Sequence, residues 1–281
     1  MYLDNLRKDD VYVNTAIKRL NLLTGMPNRK GLEKAVISNG KIVNVVSENY
    51  GHLTNQDFFG KAESLLKQEG LNYERHSINR DDRSFVVDFI ITDTESLTVH
   101  QGQDKILPLL RFVNSYDGRE RTSGHFGFYR EVCSNGLHIA KADIHFSIRH
   151  TKNCSKLVLP KLRSLLTTFL KNDYYELSGK FSSMAEIQLL DTAEFVKDIL
   201  EITNLFKYES SDKNPEPSKR ARKVIEIIDN ESLITATPPS LWSGYNAFNQ
   251  VLHNELKKGF GQQRKLDMEI FESVYAYGFE K

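Results

Sequence analysis

The sequence predicts an α+β protein: a curved, mostly antiparallel sheet with packed helices, followed by a helical C-terminal part. Three observations carry that expectation. Short runs of β-branched and aromatic residues crowd positions 41–46, 84–91, 106–113, 126–132 and 143–150. Tyr116-Asp117-Gly118 supplies turn chemistry between two of those runs, because Asp and Gly tolerate the backbone angles of a tight connection. From Ser155 onward the apolar residues recur at a spacing of three and four, the helix period.

In chain order, Val13, Ala16, Ile17, Leu20 and Leu23 predict a first helix that Gly25 and Pro27 stop. Gly40 precedes the strand 41–46. Thr54 and Asp57 resemble a capping box, and Phe58, Ala62, Leu65 and Leu66 continue a helix that Gly70 closes. Ser84–Ile91 is nearly continuous in strand formers, which suits a central strand with Asp88 on the solvent side of the sheet. Leu97–His100 is a shorter strand. Pro108 pushes the strand 106–113 toward an edge or a bulge, since proline donates nothing to a ladder. Further on, Leu162, Leu165, Leu166 and Phe169 share a helix face. Ser183 and Glu186 predict the cap of one long helix through Ile187, Leu190, Phe195, Ile199, Ile202 and Phe206. Ser210–Ser218 is polar with two prolines and reads as a linker. Helices follow around Ala221–Ile228, after Pro238-Pro239-Ser240 and over 262–277, with Trp242 and Tyr245 as core anchors. The expected organisation is a sheet-rich core at 1–151, a helical extension at 152–209, a linker at 210–218 and C-terminal helices at 219–281 packed back on the core.

The chain has 281 residues, 40% hydrophobic and 27% charged, an ordinary globular composition with enough length for a real core. No run approaches the roughly 18 apolar residues of a membrane span, so no membrane partner is expected. The first residues lack the apolar run of a signal peptide. Cys133 and Cys154 are too few for a secreted disulfide scaffold, which points to an intracellular protein.

Net charge is only +1, but its distribution is uneven. Gly118–Arg163 holds nine cations against three acids, a net +6. Met184–Asp212 holds seven acids against two lysines, a net −5. A basic working surface joined to an acidic helical part accounts for that pattern, and so do two solvated faces without partners.

Other chemistries find less support. Cys133, His138, His145, His150 and Cys154 lie close in sequence, but no paired zinc-ligand spacing occurs. Cys133 before Ser134-Asn135-Gly136 could expose a thiol to His125, His138 or His150, yet Val132 and Leu137 suggest an apolar setting that leaves it inert. Asp81, Asp82, Asp88 and Asp117 lack the doublets that hold Mg²⁺ on a strand. Neither glycine-rich nucleotide motif is present. No cofactor or metal site is expected.

Nucleic-acid binding is better supported. Arg119, Arg121, His125, Phe126, Phe128, Tyr129 and Arg130 interleave cations with aromatics, as single-strand binders do. Strict alternation puts Phe126, Phe128 and Arg130 on one face and His125 and Tyr129 on the other. With the phenylalanines in the core, His125 and Tyr129 become the exposed pair and Arg130 reaches past the sheet edge. Arg149, Lys152 and Lys156 extend the positive surface. The candidate nucleic-acid-binding residues are Arg119, Arg121, Tyr129, Arg130, Arg149 and Lys152.

Asn114-Ser115-Tyr116-Asp117-Gly118, Val132-Cys133-Ser134-Asn135-Gly136-Leu137 and Ile148-Arg149-His150-Thr151 form a succession of motifs. Ser47-Glu48-Asn49-Tyr50 with Asn55 and Phe58, and Trp242-Ser243-Gly244-Tyr245-Asn246-Ala247, agree with it. Together they resemble the phage/plasmid-like family of uncharacterised proteins, a domain of unknown function carried by mobile elements, over roughly residues 30–275. The resemblance implies a bacterial host cytoplasm and a setting near replication and recombination genes. The element order is also similar in outline to single-strand annealing proteins, a likeness of fold alone. The expected function is therefore a non-enzymatic protein that binds single-stranded DNA in replication or recombination of a mobile element, a homo-oligomer being compatible. The alternative is an interaction protein whose acidic stretch contacts a host protein in counter-defence or regulation. An enzyme ranks behind both.

Overall fold

The computed structural model describes residues 11–25, 27, 29–92, 97–99, 104–130, 136–137, 145–171, 175–211 and 214–279. In chain order the elements are β1 (Thr15–Arg19), α1 (Leu20–Thr24), β2 (Lys34–Ser38), β3 (Lys41–Val46), a π-helical turn (Gln56–Gly60) leading into α2 (Lys61–Gln68), β4 (Tyr73–Arg80) and β5 (Ser84–Ile91). There follow β6 (Leu97–Val99), β7 (Asp104–Ser115), β8 (Thr122–Arg130), β9 (Gly136–Leu137), β10 (His145–Ile148) and α3 (Cys154–Lys171). The remainder is α4 (Tyr175–Glu186), α5 (Thr192–Thr203), β11 (Glu209–Ser211), β12 (Asn214–Pro217), α6 (Lys219–Thr235), α7 (Leu241–Glu255) and α8 (Phe260–Phe279). The sheets are antiparallel and open, and the helices gather in the C-terminal part, so the fold is α+β. The chain divides into two compact units, one of residues 1–95, 108–127 and 140–172, the other of 96–107, 128–139 and 173–281.

In the first unit β1, β2 and β3 form one sheet, while the order β10-β8-β7-β5-β4 forms the larger one. Residues 15–19 are a strand rather than the first helix that their spacing predicts. Thr15 and Ile17 are β-branched, and all five residues pair with β2 from Thr15↔Ser38 to Arg19↔Lys34. Only Leu20–Thr24 is helical, closed by Gly25 at φ 71°. The larger sheet packs on aromatic rings. Phe58 meets Phe112 and Phe146 edge-on, and Phe126 lies against Phe169 of α3. Each fully buried phenylalanine contributes about 1.5–3 kcal/mol.

Asp88 does not face solvent as expected. It stands directly across from Arg111, which donates to both carboxylate oxygens at 2.6 and 2.5 Å, and the residue is 8% exposed. Pro108 sits where β7 changes partner, since β6 pairs through Ile106 and β5 from Leu109. The missing N–H falls at that switch, so a long strand tolerates a proline.

In the second unit Trp242 and Tyr245 are fully buried on α7, and Phe181 packs on Trp242 at 4.8 Å between ring centres. Ser240 caps α7 by exchanging side-chain and backbone hydrogen bonds with Ser243. The long helix expected from Ser183 is two helices. Asp191 accepts from Glu194 N–H at 2.9 Å and starts α5 afresh, while Leu189 N–H donates to Pro239 O at 2.9 Å. Ser183 itself bonds back to Gly179 O within α4. Where a linker is expected, the described residues form the β11–β12 hairpin inside this unit. Residues 140–172, with α3, belong to the first unit rather than to a helical extension.

Candidate nucleic-acid interface

Three motif segments meet in the first unit through one hydrogen-bonded network. Asn114 Nδ2 donates to Leu53 O at 3.0 Å and to Asn55 Oδ1 at 2.8 Å. Asn55 donates its N–H to Tyr116 Oη at 2.8 Å and its Nδ2 to Val11 O at 2.5 Å. Thr122 Oγ1 donates to Asn114 Oδ1 at 2.8 Å. Its one proton being spent, Thr122 accepts from His150 Nε2 at 3.3 Å. Asn55 and Asn114 are at most 1% exposed, so each polar atom left unpaired there would cost about 1–3 kcal/mol. The motif residues hold the fold together at this point.

The network also seats the end of β10 and the start of α3. Tyr50 bridges to Thr151, Gly51 N–H donates to His150 O at 3.2 Å, and Cys154 Sγ–H donates to Gly51 O at 3.4 Å. A Cβ on Gly51 would lie 1.9 Å from Thr151 O, so only glycine permits this approach. Burial raises the Cys154 thiol and the Tyr50 and Tyr116 phenols.

His52 and His150 shift the other way. Burial holds both imidazoles below the ordinary 6.5, with the Gly51 carbonyl opposing the shift at His150 and Asp57 at His52. His52 shares a 2.8 Å hydrogen bond with Thr15. An unfolded chain takes up these protons near pH 6.5, and the folded unit only at lower pH. Their stability contribution is therefore fully present above 6.5 and is lost as pH falls through that value toward the folded pKa values. Urea midpoints at pH 7.5 and 5.5 should show the fall, and His52→Gln with His150→Gln should flatten it.

Seated in this way, the strand end and the helix expose cations. β10 alternates outward His145 and Ser147 with inward Phe146 and Ile148, which leaves Arg149 exposed. The ladder pairs Ile148 with Thr122, so one step further Arg149 stands opposite Arg121, also exposed. Lys152, Lys156, Lys161 and Arg163 continue along the turn and α3, all exposed. The 18 residues of α3 include no acid. Arg121, Arg149, Lys152, Lys156, Lys161 and Arg163 make no ion pair with any described residue. Glu48 senses this tract: its hydrogen bond to Lys34, whose Nζ lies 2.8 Å away, and the charges of Arg19 and Lys152 hold its carboxyl below the usual range.

Two residues of the expected site are placed otherwise. Arg130 is fully buried in the second unit, where its guanidinium donates to Asp104 Oδ2 at 2.6 Å and to both Glu231 oxygens at 3.1 and 2.7 Å. Asp104 also accepts from Trp242 Nε1 at 2.7 Å. An arginine desolvated between two carboxylates meets no phosphate, so Arg130 is a core residue. Tyr129 is half-buried and likewise lies in the second unit. Arg119 is 80% exposed but pairs with Asp117 at 3.4 Å. Lys156, expected to extend the surface, is exposed, and Arg163 joins it on the same face of α3; its signal was the acid-free helix. Cys133 and His138, raised as a nucleophile and its base, lie outside the described residues.

Among the described residues no group of His, Cys, Asp and Glu is arranged to hold a metal ion, and no helix is long and apolar enough to cross a membrane. No curated protein and no solved structure matches the chain. The model of the family described as "Domain of unknown function (DUF932)" matches residues 42–269, and the chain belongs to that family.

Proposed function

We propose that the protein binds nucleic acid by laying a phosphate backbone along the tract Arg121, Arg149, Lys152, Lys156 and Arg163. One observation carries this reading: five exposed cations, none ion-paired with a described residue, run from the β8 and β10 strand ends along one face of an acid-free helix. Unpaired cations repel one another, and that repulsion is relieved when a polyanion neutralises them and releases its counterions. Lys156 and Arg163, seven residues apart, share one face of α3, and the positive end of the helix dipole adds to the field. The resemblance to proteins of phages and plasmids favours DNA of a mobile element during replication or recombination, where annealing would need no cofactor.

Fluorescence anisotropy with single- and double-stranded oligonucleotides across a salt series tests this. Five contacts give a plot of log K against log salt a slope near −3.5 on single strands, at about −0.7 per phosphate. Arg149→Ala, Lys152→Ala and Lys156→Ala together should reduce that slope by about two. Arg130→Met should leave it unchanged. No binding at low salt would remove the reading.

A second reading has support in the other unit. Asp191, Glu194 and Glu201 are exposed on or beside α5, next to an open hollow of ≈ 540 Å³ between α5 and β11 in which Glu201 and Glu209 are balanced by Lys197 and Lys207. A host protein with a basic surface would meet the exposed acids of α5. Recovery of one stoichiometric partner from host lysate, with no nucleic acid retained, would favour it.

A further inference from the structure

We propose that the Tyr50–His150 ring pair is the place where a bound strand stacks an unpaired base, so that the interface prefers single-stranded nucleic acid to duplex; this rests on the nucleic-acid reading above.

Phosphate contacts alone do not select single strands, because duplex presents the higher charge density. Discrimination needs an aromatic surface beside the cations, since only an unpaired base can lay its face on a ring. Tyr129 does not supply it, being half-buried in the second unit. In the first unit Tyr50 and His150 adjoin the tract. Their rings are stacked, 5.3 Å between centres and 12° between planes. Neither is fully buried. His150 lies between Arg149 and Lys152 in the chain, and Tyr50 bridges to Thr151 within that same stretch. Any strand whose phosphates reach Arg149 and Lys152 therefore passes the pair.

The pair is also held rigid, as a stacking platform requires. His150 is fixed by Thr122, and the backbone on either side of Tyr50 and Thr151 by the Gly51 contacts.

The experiment compares an oligothymidine single strand with a duplex of equal length, using wild type, Tyr50→Leu and Tyr50→Phe, with thermal unfolding as a control on the fold. Tyr50→Leu should lose about five- to a hundredfold on the single strand, with little change on duplex and no change in salt slope. Tyr50→Phe keeps the ring and should bind as wild type. On the unaltered protein, ultraviolet cross-linking of a 5-iodouracil oligonucleotide should attach to Tyr50 or His150, and this decides the matter if the leucine variant does not fold. Equal losses on single strand and duplex, no loss at all, or cross-links confined elsewhere would overturn the proposal. A slope change in the Arg149, Lys152 and Lys156 variant would then still sustain the reading beneath it. Absence of binding by wild type would end both.

Discussion

Arg130→Met is expected to lower the stability of the second unit by about 3–5 kcal/mol, the largest single loss expected from one side chain in that unit. The guanidinium is 1% exposed, and the carboxylates of Asp104 and Glu231 are 4% and 8% exposed. Methionine roughly keeps the volume and removes the charge, so two carboxylates stay buried without their cation. The Arg130 side chain also lies over the Trp242 ring, 5.6 Å from its centre, so the variant loses that contact too. Glu231→Gln should cost far less, about 1 kcal/mol, because the amide oxygen still accepts from Arg130 and one of two opposing charges is gone. Trp242 is the only tryptophan in the chain and donates to Asp104, so its fluorescence reports this unit during urea unfolding. An unchanged midpoint in Arg130→Met would mean that the triad does not form.

The same residue shows where reading from local pattern stops. Alternation along β8 groups Phe126, Phe128 and Arg130, and all three are buried, but His125, expected on the exposed face, is buried as well. A cation on the core face needs counter-charges, and those come from Asp104 and Glu231, 26 and 101 positions away. No local window contains them. Arg149 was legible because β10 alternates outward and inward and its cation falls on the outward phase. The first helix was misread because apolar spacing at 13–23 suits a helix, while the pairing with β2 that decides the matter lies some twenty residues further on. The long helix was misread for a related reason: an apolar period continues through Ile187 and Leu190, but Asp191 caps a new start and Pro239 O takes the N–H of Leu189. The turn at Asp117-Gly118 was legible, being chemistry within a few residues. Gly118 takes φ 76°, and Asp117 Oδ1 accepts from Ser115 Oγ at 2.7 Å and Arg119 N–H at 3.0 Å. The motifs around Tyr50, Asn114 and His150 were visible as residues, but that they form one network is a property of the folded chain alone.

Gly51→Ala should damage stability and binding together. A methyl group there would sit 1.9 Å from Thr151 O, 2.6 Å from Thr151 C and 2.8 Å from Cys154 Sγ. Two of those three atoms are backbone and cannot rotate away, so the chain must open between Tyr50 and Thr151 or the methyl cannot be accommodated. Opening loses the Gly51–His150 and Cys154–Gly51 hydrogen bonds, and the expected cost is about 3 kcal/mol, the upper end of ordinary overpacking. Arg149 and Lys152 flank the displaced residues, so their phosphate contacts should weaken although neither is altered. The pattern separates this variant from the alanine replacements of the cations themselves. Those should reduce affinity and salt slope at unchanged melting temperature, whereas Gly51→Ala should lower the melting temperature first. Thermal unfolding beside anisotropy at one fixed salt concentration reads both effects. If Gly51→Ala melts like wild type, the approach of Gly51 to Thr151 is not made, and the seat proposed for the basic tract falls with it.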